Sequence, residues 1–188
     1  MINRLREDTA SLHKQIEKDN LASRIMDHKI SLEEYKLLLL QNYLAYSIVE
    51  DAISPYYKSP EANRVKRLQR DLFNLNIDPT EALVQFQDAF KCTCKSEALG
   101  AAYVIEGSAL GGMFIAKELE NCEQLKEIEE HHFFNGDRNN VKPWNRFLKD
   151  IKSEAFTQDE EDRAAEKAKE TFSFFGDIFT MDEGRVDS

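Results

Sequence analysis

Glycine, proline and cysteine are scarce in this chain: 7, 4 and 3 among 188 residues. So few glycines and prolines, with no fixed-period repeat, exclude collagen-like and low-complexity chains and leave long segments for regular structure. Cys92, Cys94 and Cys122 are an odd number for a disulfide framework. The pair around Thr93 has neither C-x-x-C spacing nor the second pair of a zinc site, so reduced structural thiols are expected. The N-terminus, MINRLREDTASLHKQIEK, lacks the apolar core of a signal peptide, and a cytoplasmic protein is expected. The longest apolar run, Ala98 to Ile105, ends at Glu106 and is too short to span a bilayer, so no membrane association is expected. Positive charge is also short. Lys and Arg number 25 against 35 Asp and Glu, and the net charge of −10 argues against nucleic acid as a partner. The one basic cluster, Arg64, Lys66, Arg67 and Arg70, reads as a solvated helix face or as a docking patch for an acidic protein.

What is present is helical. Ser31-Leu-Glu-Glu34 is a capping box ahead of apolar positions at three- and four-residue spacing from Leu32 to Ile53. Ser59-Pro60 and Asp78-Pro79 each predict a helix with proline at its first position, and Ser96 predicts the cap of another. Pro143 starts a short helix holding Trp144, Phe147, Leu148 and Ile151. Thr157-Gln-Asp-Glu160 is a second capping box, before a last helix running to about Phe179. No alternating β pattern occurs, so the expected fold is a single-domain, all-α, multi-helix bundle over residues 1–179, followed by an acidic, disordered tail over 180–188.

Within that bundle the stretch AAYVIEGSALGGMFIAKEL, Ala101 to Leu119, stands out because Gly107, Gly111 and Gly112 lie in the middle of a helical pattern. Each mid-helix glycine gives up about 0.5–1 kcal/mol relative to alanine. Bare backbone is therefore needed there, for close packing of another helix or for a flat ligand, and on this segment alone packing leads. Near the N-terminus Leu5, Thr9, Leu12 and Ile16 share one helix face. His13 lies beside it with Glu17 one turn on, so that a carboxylate is placed to orient an imidazole. Most histidines in such a position are structural. Taken with the glycines, however, His13 makes an iron ligand facing a bare helix surface, an arrangement suited to heme.

At these residues the chain resembles the biliverdin-producing heme oxygenases of the bacterial branch. LREDTASLHKQIEK is similar to the family's proximal helix, with His13 as axial ligand, Glu17 as its orienting carboxylate and Arg6 at a propionate-binding position. QNYLAYSIVEDAI, with Tyr43, Tyr46 and Glu50, resembles the second helix, and EGSALGG, Glu106 to Gly112, resembles the distal helix that kinks over the iron. FFNGDRNNVKPWNRFLKDI and AKETFSFF resemble the closing segments, with Tyr103 and Lys149 near propionate positions and Phe172 on the heme wall. One departure is plain: the mammalian-type pattern has an aspartate where this chain has Ser108.

The resemblance implies a bundle with heme b between a proximal and a kinked distal helix. Heme is then both substrate and cofactor, and O2 and electrons from an external ferredoxin, flavodoxin or reductase yield biliverdin, CO and Fe2+. Gly107, Ser108, Gly111 and Gly112 are the residues expected over the reacting edge, and a monomer or weak dimer is expected. Three further readings compete: a non-catalytic heme-binding protein of the same fold, for which Ser108 speaks; a di-iron carboxylate site using Glu129-x-x-His132; and a bundle without cofactor, with the glycines as packing devices. The di-iron site needs a second E-x-x-H pair, which the sequence lacks.

Overall fold

Both capping boxes form. Ser31 and Thr157 each accept the N–H of the residue three positions on, Glu34 and Glu160, whose carboxylates return a bond to the cap N–H. They start the two longest helices, α3 (Leu32–Ile53) and α9 (Gln158–Phe179), in a computed structural model that describes residues 1–58 and 63–181. Among the described residues seven shorter α-helices accompany them, α1 (Ile2–Asp19), α2 (Ala22–Met26), α4 (Arg64–Asn74), α5 (Thr80–Phe86), α6 (Lys95–Gly107), α7 (Ala109–Leu119) and α8 (Lys142–Ser153), with two short 3-10 helices at Glu123–Leu125 and Arg138–Val141. Every regular element among the described residues is helical, so the chain is all-α, as its sequence pattern requires.

The core is organised by α3 and α9. Most of α3 is buried, including Tyr35, Leu38, Leu39, Leu44 and Val49, because α4, α5, α6 and α9 pack around it. α9 presents small residues, Ala164, Ala165 and Ala168, to α6 and to Leu5 and Val104, and the helices come close along this seam. Its tightest point is Gly100, where an added Cβ would lie 2.1 Å from the carbonyl oxygen of Ala164. The α-ammonium of Met1 pairs with Glu161 and ties the start of α1 to α9.

Local corrections follow from the geometry. The glycine-bearing segment is two helices meeting at Ser108, not one. Ser108 keeps helical dihedrals, but the N–H of Gly111 bonds to its carbonyl three residues back at 3.1 Å, a tightened turn that bends the chain. The residue preceding α6 is Cys94, not Ser96, which is buried within the first turn. No side chain caps α6, and Glu97 instead ties the preceding segment to the first turn by accepting from the N–H and hydroxyl of Thr93. Pro79 stands just outside α5, and the start read at Ser59-Pro60 lies outside the described residues. Thr180 and Met181, read as tail, continue the fold: Met181 is buried and its carbonyl accepts from the Gln41 side chain at 3.0 Å. Residues Lys95–Leu119 together are also long and apolar enough by composition to cross a membrane, beyond what the Ala98–Ile105 run suggests, yet α6 is spent on contacts with α9, α3 and α8.

Candidate functional site

Between α1 and the α6–α7 bend lies a cavity of about 1090 Å³. One wall is the face of α1 carrying His13, Ile16 and Glu17, and the opposite wall is the glycine-bearing stretch from Gly107 to Ile115. Phe172, Phe175 and Phe179 of α9, with Tyr46 of α3 and Trp144 of α8, close it from within. Apolar surface faces the opening: Phe114 is 71 % exposed and Leu110 46 %. Exposed apolar walls around a large cleft are characteristic of a ligand site.

His13 is held but not used up. Its Nδ1 lies 3.4 Å from Glu17 Oε1, within ion-pair reach though long for a hydrogen bond, and its ring meets Phe172 edge-on with centroids 5.8 Å apart. The side chain is 57 % exposed to the cavity side, so an imidazole nitrogen remains accessible for a metal.

The three glycines opposite are not packing devices. A Cβ on Gly111 or Gly112 would meet no atom within 4 Å, and one on Gly107 would make ordinary contact with the Trp144 ring at 3.6 Å. The helix-packing reading therefore fails at these positions, and the glycine that does serve close packing is Gly100, which sequence inspection passed over. Open space in front of bare backbone, on a cavity wall, fits a flat ligand pressed against the helix.

Behind the bend a buried polar cluster fixes its position. Tyr46 Oη donates to Ser108 Oγ at 2.7 Å, and Ser108 Oγ donates to the Ile105 carbonyl at 2.8 Å. Burial raises the Tyr46 pKa, with the Ser108 bond and Arg64 opposing, so the phenol stays protonated and donates. The Arg64 guanidinium stands 5.6 Å over the Tyr46 ring, bonds Glu106 Oε2 at 2.6 Å and the Ile105 carbonyl, and lies 3.1 Å from Glu50 Oε1. Burial works against the charge of Arg64, but Glu106 and Glu50 more than offset it and raise its pKa. Two carboxylates share one buried cation, and burial raises the Glu50 pKa above its ordinary value against the pull of Arg64. A carboxylate inside an apolar helix, Glu106, was the sequence signal for this cluster, since a buried charge needs a partner. Its partner lies 42 positions away.

The segment closing the far side is tied by Asp71 of α4, whose carboxylate accepts the N–H groups of His132 and Phe133, both at 2.8 Å. Tyr35 Oη lies 2.6 Å from His131 Nδ1, and His132 Nε2 lies 3.3 Å from Asn74 Nδ2. These histidines are engaged in closing the fold, and among the described residues no group of three or more His, Cys, Asp or Glu side chains is placed to hold a metal ion. Of the residues singled out in the sequence, His13, Glu17, Tyr103, Gly107, Ser108, Gly111, Gly112 and Phe172 line one cavity. Arg6 and Lys149 are exposed and lie off its wall. Arg64 and Arg67, read as part of a solvated face, turn inward: Arg64 is 6 % exposed and Arg67 bonds the Asn140 side chain.

Comparison with known proteins gives the same picture. The family model described as heme oxygenase matches residues 1–181. Heme oxygenase PigA of Pseudomonas aeruginosa is 30 % identical over 83 residues, which is 44 % of this chain and 42 % of that protein, so the match spans less than half of its length. The heme oxygenase of Neisseria meningitidis, solved with NO and CO bound, superposes with a TM-score of 0.69 at 22 % identity, covering 94 % of this chain and 88 % of that one. Heme oxygenase-1 from the cyanobacterium Synechocystis sp. PCC6803, solved in complex with heme, gives a TM-score of 0.73 at 19 % identity over 98 % and 93 % of the two chains. At those identities the structures speak for the fold.

Proposed function

The chain belongs to the heme oxygenase family, and from that premise we propose that it degrades heme to biliverdin, CO and Fe2+, using O2 and electrons from an external donor. The observation that carries the reading is the pairing of an accessible His13 with three open-faced glycines across one cavity. A bound heme supplies the iron that activates dioxygen and is itself the molecule oxidised. His13 binds the iron and Glu17 orients its ring, while Phe172 packs edge-on against the imidazole and restricts its rotation. Gly107, Gly111 and Gly112 admit the porphyrin and a diatomic molecule to the backbone, and the three α9 phenylalanines keep bulk water from the inner edge.

As in the bacterial branch it resembles, the chain has Ser108 where the mammalian-type pattern has an aspartate, and Ser108 acts by positioning water rather than by releasing a proton. Its hydroxyl donates a hydrogen bond to the Ile105 carbonyl and its oxygen accepts one from the Tyr46 phenol, so the remaining lone pair of Oγ is left to accept from a cavity water. Tyr103 on the wall, and Arg6 and Lys149 outside it, are the groups assigned to the propionates. The donor is a ferredoxin, flavodoxin or reductase, because the chain has no flavin or nucleotide fingerprint of its own. Three free cysteines fit a reducing, cytoplasmic compartment.

The second reading is a heme-binding protein without turnover, favoured by Ser108. Both are tested together. Hemin titration should give a histidine-ligated Soret band that His13→Ala loses and exogenous imidazole restores. Ascorbate in air should then bleach the band and release biliverdin and CO, with little effect of catalase. A complex ligated through His13 that releases no biliverdin with any competent donor would leave the binding reading. A spectrum lost in His132→Ala and kept in His13→Ala would overturn the assignment of His13 as the iron ligand.

A further inference from the structure

Charge is divided unevenly along this chain, and of the cations in its basic segments only Arg64 is buried. Residues 64–74 and 138–152 hold nine of the 25 Lys and Arg and only two of the 35 Asp and Glu, a local charge of +7 that leaves −17 on the rest. The two segments are neighbours: Arg67 bonds Asn140, and both contribute to one side of the cavity, through Arg67 and Arg70 from α4 and Lys142 and Trp144 from α8. Elsewhere many surface cations are neutralised in place, as in Arg4 with Asp162, Lys95 with Glu154 and Lys126 with Glu123, and among the described residues the exposed cations left without an ion pair, such as Lys14, Lys29 and Lys117, are scattered rather than gathered on one face. Among the described residues no ion pair is made by Lys66, Arg70, Arg138, Lys142 or Arg146, although all five are exposed. Beside them stands Phe73, 82 % exposed, the most exposed large apolar side chain described. Lys66, Arg70 and Phe73 are spaced four and three residues apart and therefore form one line along the outer face of α4. Lys66 and Phe73 are not on the cavity wall, so this line extends beyond what a ligand in the cavity would touch.

We propose that this outer face of α4, continued by Arg138 and the start of α8, is the docking surface for a small acidic electron-transfer protein, which seats an apolar spot on Phe73 and is oriented by the unpaired cations. The proposal rests on the heme oxygenase reading, which requires electrons from outside. Charge complementarity selects the occupant: an acidic protein is repelled by the −17 carried by the rest of the chain and attracted most strongly here, beside the cavity that needs reducing. A central aromatic ringed by charge is also the usual composition of a protein contact.

The test uses hemin-loaded protein with an acidic [2Fe–2S] ferredoxin and its reductase. Lys66→Glu combined with Phe73→Ser should raise the half-saturating ferredoxin concentration at least tenfold and flatten the dependence of rate on salt. Lys126→Glu, the same charge change away from this face, should behave as wild type. Ascorbate-driven turnover should be equal in all three, because it needs no docking. If ferredoxin half-saturation is unchanged in the double variant while ascorbate still drives turnover, docking is elsewhere and the proposal falls. If ascorbate gives no biliverdin even in wild type, the enzyme reading falls instead. The surface is then judged by titrating oxidised ferredoxin into the hemin complex at low salt: binding lost in the double variant sustains it, and equal or absent binding overturns it.

Discussion

Replacing Gly111 by alanine should make the ligand-free protein more stable, the opposite of what a glycine kept inside a helix for close packing would show. The methyl group meets nothing within 4 Å. Alanine gains about 0.5–1 kcal/mol over glycine through helix propensity. For a chain of this length each kcal/mol moves the melting temperature by about 2–4 °C, so Gly111→Ala should raise it by about 1–4 °C, and Gly112→Ala likewise. Gly100→Ala provides the contrast. Its methyl would lie 2.1 Å from the Ala164 carbonyl oxygen and 2.8 Å from the carbonyl carbon, both backbone atoms, so α6 and α9 must separate. Overpacking of that kind costs about 3 kcal/mol or more, a fall of about 6–12 °C. Thermal denaturation of the apoproteins measures both. Hemin titration measures the other half of the argument, in which Gly111→Leu fills the space kept for porphyrin and oxygen and weakens binding or ring opening while the apoprotein holds. A Gly111→Ala apoprotein destabilised as strongly as Gly100→Ala would refute the open-wall account and return this glycine to helix packing.

Two further substitutions probe the supports of the cavity. Asp71→Ala removes the acceptor of two buried N–H groups and should cost about 2–4 kcal/mol in denaturant unfolding, with faster amide exchange at His132 and Phe133; unchanged exchange would show that the tie is not what holds this segment. Glu50 has a folded pKa raised above its ordinary value of 4.5, chiefly by burial. As pH rises above 4.5 the unfolded chain releases this proton while the folded chain keeps it, so folding loses stability up to the folded pKa and stays at that lower level beyond it. Glu50→Gln should flatten that part of the stability curve, measured by denaturant titration from pH 4.5 towards neutrality, and a slope equal to wild type would rule out Glu50 as its source.

Local chemistry made most of the fold legible. The capping boxes at Ser31 and Thr157 depend on residues three positions apart, and both helices they start end near the predicted places, at Ile53 and Phe179. Where the reading slipped, a tertiary contact or a shift of one or two residues was responsible. Ser96 has the right chemistry for a cap but is the second residue of the helix that Cys94 precedes, and Glu97 reaches back to Thr93. Met181 carries no signal that separates it from a tail. Its burial is decided by Gln41, 140 positions earlier.

The glycines show where such legibility ends. A helix-propensity loss at Gly107, Gly111 and Gly112 announces that bare backbone is required, but propensity is the same whether the opposing object is a helix or a ligand. The distinction lies in what a Cβ would strike, and that depends on the path of α9 and on the bend at Ser108, neither written locally. Gly100 makes the point from the other side, for among the described glycines it is the one whose hydrogen faces another backbone, and it sits in an unremarkable run of Leu99, Gly100 and Ala101. Charge behaves in the same way. Arg64, Lys66, Arg67 and Arg70 form a single basic cluster in the sequence, yet the helix turns Arg64 inward against Glu106 and leaves Lys66 and Arg70 unpaired outside. One residue of that cluster thus positions the bend over the cavity while its neighbours are free to meet a partner, a division of labour that follows from the 3.6-residue period once α4 is docked on α3.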